Sequence, residues 1–197
     1  METNQAISAM KTFMAQHLEF NESEWDSIEQ FYKVRSLQKG ELLLKQGDVC
    51  KENAFVVSGA LLQFRSEDVD EYAYDFSFKE DYAVDFASFI SGKPSTIGID
   101  ALTPSVVVCI SKEDIDKAYQ VAPVFQEFGR RMVERAYMYD DERVKSLLYD
   151  TAEERYLNLL SRDPNLLQEI PMYAIASYLG IRPESLSRVR ANLSKKK

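Results

Sequence analysis

The sequence predicts an α+β chain in three parts: an antiparallel β-roll of the jelly-roll kind, one long helix, and a small all-α unit that ends in a helix-turn-helix. Three observations predict it. Between residues 32 and 110, short apolar runs such as KVRSL, ELLLK, AFVVS, ALLQF, EYAYDFSF and VVVCI alternate with turn residues at Lys39-Gly40, Gly47-Asp48, Ser58-Gly59 and Gly92-Lys93-Pro94. That is the spacing of many short strands closing on themselves. Residues 124–149 then carry apolar side chains at spacings of three and four, the period of one long helix. Finally, in residues 170–193 two short helical patterns flank Gly180, which closes a helix in the left-handed conformation at little cost.

Length and composition agree with this layout. At 197 residues the chain can bury one good core or two smaller domains. An apolar fraction of 45% and a charged fraction of 28% are ordinary for a globular protein. No run approaches the roughly 20 apolar residues that span a bilayer, and the first residues lack the basic-then-apolar layout of a signal peptide. The expectation is a cytoplasmic protein with no membrane partner.

In chain order, residues 5–17 predict a helix with Ile7, Met10, Phe13 and Met14 on one side. Asn21 with Glu24 makes a capping pair for a second helix carrying Trp25, Ile28 and Phe31. The single histidine, His17, ends the first helix and reads as a backbone partner, because a metal site needs several convergent donors. After the strands, Ser111 caps a helix reading KEDIDKAYQ. In the long pattern that follows, Phe125, Phe128, Met132, Ala136 and Tyr139 form one stripe, widened by Val133, Val144, Leu147 and Leu148. Such a stripe either packs on the barrel or pairs with a twin helix. Thr151 and Glu154 mark the start of another helix, and Asp163-Pro164 its end.

Two cysteines are too few for a disulfide framework. Cys109, inside VVVCI, reads as a buried inert thiol, whereas Cys50 follows a Gly-Asp turn and reads as more exposed. The aromatics Tyr72, Tyr74, Phe76, Phe78, Tyr82, Phe86 and Phe89 serve equally as barrel core or as the lining of an apolar cavity.

The helix-turn-helix pattern has its own logic. Ala176, four residues before Gly180, is small where two helices cross steeply. Pro183 and Glu184 suit the first turn of the second helix. The outward face of that helix carries Glu184, Ser185, Ser187, Arg188 and Arg190. Arginine can donate two hydrogen bonds to one guanine, and a carboxylate can accept from cytosine, so this face suits a major groove. Charge supports the reading. Residues 171–197 hold six basic groups and one acidic, a local balance of +5, which leaves −13 on the rest of a chain whose net charge is −8. Such a molecule presents one end to phosphates while its acidic bulk resists nonspecific contact.

The run A-x-x-L-G-I-x-x-E-S-L-S-R-V-R, residues 176–190, resembles the DNA-binding signature of the Crp/Fnr family of bacterial transcription regulators, with Glu184 and Arg188 matching that family's base-reading pair. The upstream block is similar to the family's cyclic-nucleotide-binding β-roll in K-G-E at 39–41, Q-G-D at 46–48, F-V-V-S-G-A-L at 55–61 and D-F-x-S-F-x-x-G-x-P-S at 85–95. The resemblance covers nearly the whole chain. It implies a sensing domain over residues 1–122, a dimerisation helix and hinge over 123–150, and a DNA-binding domain over 151–197. It also implies a homodimer seamed along Phe125, Phe128, Met132, Ala136 and Tyr139, and as partners double-stranded DNA with an imperfectly palindromic operator, RNA polymerase as a further candidate, and an unidentified small-molecule effector. Two related recognition helices would read half-sites about 34 Å apart.

Two departures from the family pattern matter. In the best-known members the cassette supplies a glutamate for the ribose and an arginine-serine pair for the cyclic phosphate. Here Asp85 and Phe86 stand at the first position and Ser95-Thr96 at the second, and a buried phosphate without a guanidinium lacks its bidentate partner. Cyclic AMP is therefore not the expected ligand. Neither an iron–sulfur cluster nor haem is expected either, since two cysteines cannot ligate a cluster and the histidine lies before the barrel. No cofactor, metal or catalytic residue is assigned, and no enzymatic activity is expected. The second departure is the short DPNLLQE link between helices, which leaves the usual wing absent or vestigial. Phosphate contacts would then fall to Tyr173, Ser177, Arg182, Ser185 and the terminal lysines.

Overall fold

A computed structural model describes residues 2–68, 70–164 and 170–195. Helices α1 (Thr3–Ala15) and α2 (Glu22–Glu29) come first; Asn21 caps α2 by accepting from Glu24 N at 3.0 Å while the Glu24 carboxylate accepts from Asn21 N at 2.8 Å. His17 stays at the end of α1, its Nδ1 2.9 Å from the Phe13 carbonyl oxygen. The strands are β1 (Lys33–Leu37), β2 (Leu42–Leu44), β3 (Glu52–Ser58), β4 (Leu61–Glu67), β5 (Asp70–Ser77), β6 (Tyr82–Ala83), β7 (Gly98–Ala101) and β8 (Ser105–Ser111), with the short helix α3 (Phe86–Ser91) between β6 and β7.

The strands form two antiparallel four-stranded sheets, ordered β1-β8-β3-β6 and β2-β7-β4-β5. Alternation sorts their side chains. Leu37, Ala54, Val56, Leu61, Ile99, Ala101, Val107 and Cys109 fill the space between the sheets, with Leu44, Cys50 and Phe89. The interior of the roll is thus packed with aliphatic groups. Both cysteines lie in it. Cys50 is 5% exposed, contrary to its turn-like sequence context, because its amide donates to Ser88 Oγ at 2.9 Å and draws the loop inward. Burial pushes the Cys109 thiol up to about 12, so it is inert.

The outer face of the first sheet, through Phe55, Val57 and Val108, is covered by α1, by Trp25 and Ile28 of α2, by α4 (Lys112–Val121) and by the start of α5 (Val124–Tyr149). Here the stripe prediction is corrected. Phe125 and Phe128 are 2% and 7% exposed and pack within their own chain against Phe20 and Phe13, so they face the barrel instead of a partner. Tyr139 also turns inward, to Asp75. Met132 is half-buried and Ala136 exposed.

The outer face of the second sheet is covered by the C-terminal helices: α6 (Ala152–Arg162), α7 (Met172–Tyr178) and α8 (Pro183–Lys195). Ala60, Leu62, Phe76, Phe78 and Leu102 from the second sheet and its turns share one core with Tyr156, Leu159, Ile170, Ile175, Tyr178, Leu179 and Leu186 from the C-terminal unit. Phe76 and Phe78 therefore lie outside the barrel interior; they are the floor on which the helical unit rests. The link in which the wing is expected to be absent or vestigial falls partly on residues 165–169, and the terminal pair Lys196 and Lys197 follows 195; these lie outside the described residues.

Candidate nucleic-acid interface

The helix-turn-helix is built by local rules. Gly180, at φ +66°, lets the end of α7 close: Ile181 N donates to Ala176 O at 3.0 Å and Gly180 N to Ser177 O at 2.9 Å, the two bonds of a Schellman ending. Ala176 is fully buried at the crossing. The Arg182 carbonyl accepts the first bonds of α8, from Ser185 N at 2.9 Å and Leu186 N at 3.2 Å, which leaves Pro183 where its missing amide is harmless and Glu184 at the positive helix end. Arg155 of α6 fastens the unit by donating to Leu179 O at 2.9 Å and to Asp150 O at 2.5 Å.

Helix α8 has two faces. Leu186 is fully buried and Val189 and Leu193 pack beside it, while Glu184, Ser187, Arg188 and Ala191 lie on the opposite side, exposed. Arg188 is steadied by a 3.1 Å bond from Nη2 to Ser185 Oγ, and Arg182 is exposed at the turn. Two members of the predicted set are spoken for. Arg190 is half-buried with its guanidinium 5.4 Å from the Tyr156 ring, and Ser187 Oγ donates to Pro183 O at 3.1 Å. The exposed face of α8 is thus narrower than the sequence suggests and centres on Glu184 and Arg188.

Helix α7, expected to supply phosphate contacts, is docked on the sheet. β5 is an edge strand, and an open edge presents unpaired backbone groups. Ser177 Oγ accepts from Ala73 N at 2.9 Å, and Tyr173 Oη donates to Glu71 Oε1 at 3.3 Å. Arg162, at the end of α6, completes the junction. Its Nη2 donates to Phe76 O and to Asp81 Oδ2, both at 2.9 Å, and its Nη1 to Tyr139 Oη at 2.7 Å, with Asp75 Oδ1 3.4 Å away. Tyr139 in turn donates to Asp75 Oδ1 at 2.8 Å. Burial pushes the Asp75 carboxyl up, opposed by Arg162 and the Tyr139 hydroxyl; burial and the adjacent Asp75 push the Tyr139 phenol up, so it remains a donor. Arg143 of α5 stacks on the Tyr178 ring at 3.7 Å and donates to the Tyr178 carbonyl. Sequence reasoning gave Arg162, Asp75 and Asp81 no role; an arginine in the last turn of a helix signals only its own helix end.

The effector cassette is closed on itself. Asp85 caps α3, its Oδ1 accepting from Ser88 N at 3.1 Å and its Oδ2 lying 2.6 Å from Ser95 Oγ. Ser95 is 4% exposed and also accepts from Ile97 N at 3.1 Å. Thr96 is exposed, and Phe86 points outward at 42% exposure. The polar side chains that would meet a phosphate satisfy one another. Among the described residues no group of three or more histidine, cysteine or carboxylate side chains could hold a metal ion, and no helix is long and apolar enough to cross a membrane.

Comparison with known proteins agrees with this geometry. Residues 34–121 match the cyclic nucleotide-binding domain family. No curated protein matches the chain in sequence. Among solved structures, FixK2 from Bradyrhizobium japonicum is 20% identical with a TM-score of 0.67, over 84% of this chain and 85% of that one. A Crp/Fnr-family regulator from Eubacterium rectale is 14% identical with a TM-score of 0.66, over 90% and 85%. The c-di-GMP-responsive global regulator CLP of Xanthomonas campestris is 17% identical with a TM-score of 0.65, over 89% and 93%. Residues 34–121 are therefore similar to the cyclic nucleotide-binding domain, within a chain whose fold is similar to that of these solved regulators.

Proposed function

We propose that this protein is a homodimeric, sequence-specific DNA-binding transcription regulator whose β-roll senses an effector other than cyclic AMP. The observation that carries the reading is the two-faced α8. Its apolar side is spent on the core, while Glu184 and Arg188 stand exposed, one helical turn apart, at the basic end of an acidic chain. Neither side chain packs in the core that the helix shares. Arginine at guanine and carboxylate at cytosine give them a use.

The seam of the dimer falls on the exposed flank of α5 that widens the stripe read in the sequence, beside the buried Phe125 and Phe128. Val133, Tyr137, Val144 and Leu148 recur at spacings of four and seven, with Leu147 beside them, and all are exposed large apolar groups. A twin helix covering them would bring two copies of α8 to one duplex, RNA polymerase then being a neighbour on the operator. The docked junction supplies the regulation. While Ser177 and Tyr173 are held by the sensor, they are withheld from phosphates, so an effector that favours release would raise the population able to grip DNA. The self-satisfied Asp85–Ser95 pair supports exclusion of a cyclic phosphate.

Selection of bound duplexes from random DNA tests the reading, and should return a palindrome with half-sites one helical turn apart. Arg188→Ala should weaken specific binding by about 1–3 kcal/mol per half-site while leaving nonspecific binding nearly unchanged. Unchanged discrimination in a mobility-shift assay would refute the role of Arg188.

A further inference from the structure

The closed cassette satisfies its own polar groups, but a further concavity lies outside the roll. On the outer face of the first sheet, α1, α3, α4 and α5 enclose a groove of 290 Å³, lined by Met14, Ile90, Ile115, Met132 and Ala136 among others. At its mouth Phe86 and Ile90 are 42% and 52% exposed. Its wall also holds polar groups with poor partners. The Oδ1 of Asn53 on β3 is buried and accepts no hydrogen bond. The Tyr32 and Tyr82 hydroxyls, which line the same space, donate to thioether sulfurs, Met14 at 3.8 Å and Met10 at 4.0 Å, which are weak acceptors. A buried acceptor left unpaired is costly, and native proteins rarely keep one without a use.

We propose that this groove is a ligand site for a small apolar molecule carrying one hydrogen-bond donor, such as a bicyclic aromatic alcohol or amine, with the donor on Asn53 Oδ1. The size is at the lower edge of small-molecule cavities, and a mostly apolar wall with a few convergent polar groups is their usual chemistry. A helix of a second copy laid across the mouth does not meet the same need, because its own amides are already bonded within the helix. The site is also placed to act on the junction. Met132 and Ala136 form its wall on α5 and at the same time border the 150 Å³ space that holds Tyr139, Asp75 and Arg162. An occupant that shifts α5 by a fraction of a turn moves Tyr139 against Arg162. This coupling rests on the regulator reading above, whereas the binding itself does not.

The test uses the full chain and no DNA. N-phenyl-1-naphthylamine, an apolar dye with one N–H, should bind saturably with enhanced fluorescence. 1-Naphthol should displace it about five-fold more effectively than 1-methylnaphthalene, which has the same shape and no donor, the fold-change expected of one neutral hydrogen bond. Asn53→Leu should erase that preference. Ala136→Trp, at an exposed position where folding tolerates the change, should block dye binding altogether. Saturating 1-naphthol should also alter the exchange rate of the Ala73 amide at the junction several-fold. Non-saturable dye uptake, a donor preference that survives Asn53→Leu, or dye binding that falls in step with self-association would each overturn the site. An Ala73 amide indifferent to 1-naphthol would overturn the coupling and leave the DNA-binding reading to its own assay.

Discussion

Replacing Arg162 by methionine keeps most of the side chain's bulk against Phe78 and Tyr139 but removes the charge that spans the junction. In the native protein that guanidinium donates to two sensor groups, Phe76 O and Asp81 Oδ2, and to Tyr139. A hydrogen bond to a charged partner contributes about 1.5–3 kcal/mol, and breaking a buried ion pair costs about 3–5. The groups are only partly shielded, with side-chain exposures of 23% for Arg162, 16% for Asp75 and 29% for Asp81, so the lower part of the range applies, about 2–4 kcal/mol. At about 1.4 kcal/mol per factor of ten, the docked state should lose roughly 30- to 1,000-fold in population relative to the undocked one. The Ala73 amide is the reporter, because it donates to Ser177 Oγ, on the far side of the junction. Hydrogen exchange followed by NMR should show its protection falling by that factor, and a double-mutant cycle with Asp81→Asn should return a coupling of at least about 1 kcal/mol. If Ala73 keeps its protection within about two-fold while global stability drops, Arg162 supports the fold as a whole and the latch is refuted.

Further outcomes follow from the same geometry. Leu148→Asp and Val144→Asp, at positions 69% and 56% exposed in one chain, should each raise the dimer dissociation constant at least about ten-fold in sedimentation with little loss of monomer stability; unchanged association would remove the seam from α5. Phe128→Asp, by contrast, should unfold the protein, since that ring is 7% exposed in its own core. Asp100 pairs with Leu62 across the second sheet, its Oδ1 has no partner, and burial followed by repulsion from Glu71 raises its carboxyl to about 6. A folded-state value above the unfolded one means that this group adds stability at low pH, and that the contribution is lost as pH rises through about 6. Asp100→Asn should therefore raise the melting temperature above pH 6 and flatten its dependence between about pH 4 and 6; an unchanged profile would show that solvent already relieves the charge.

What could be read in the sequence is what depends on neighbours in the chain. Asn21 with Glu24, Ser111 with Asp114 and Thr151 with Glu154 cap helices through bonds that span three residues, and the Ala176–Gly180–Pro183 pattern makes its turn from local bonds alone. The arrangement of β-roll, long helix and helix-turn-helix followed from those signals together with strand alternation. What could not be read is which of two equivalent faces each element spends at home. Phe125 and Phe128 have the period of a dimer seam and of a core helix alike, and only the presence of Phe13 and Phe20 opposite them decides it. Phe76 and Phe78 alternate as any strand does, yet they point out of the roll because a helical unit waits there. The junction itself joins Ser177 to Ala73 and Arg162 to Asp81, residues so far apart in the chain that no period or spacing links them. For the same reason Ser177 reads as a free hydroxyl in the sequence and is a bonded one in the fold.

The shared floor of Leu62, Phe76, Phe78 and Leu102 makes the C-terminal helical part a tenant on ground owned by the N-terminal part. Chimeras that graft residues 151–197 onto a foreign sensor would expose Ile175 and Tyr178 to water unless the β4–β5 hairpin travels with them, and the detached fragment should be prone to aggregate. Modular exchange of input and output, simple where two domains meet only through a hinge, is here a matter of transplanting a strand pair as well as a helix.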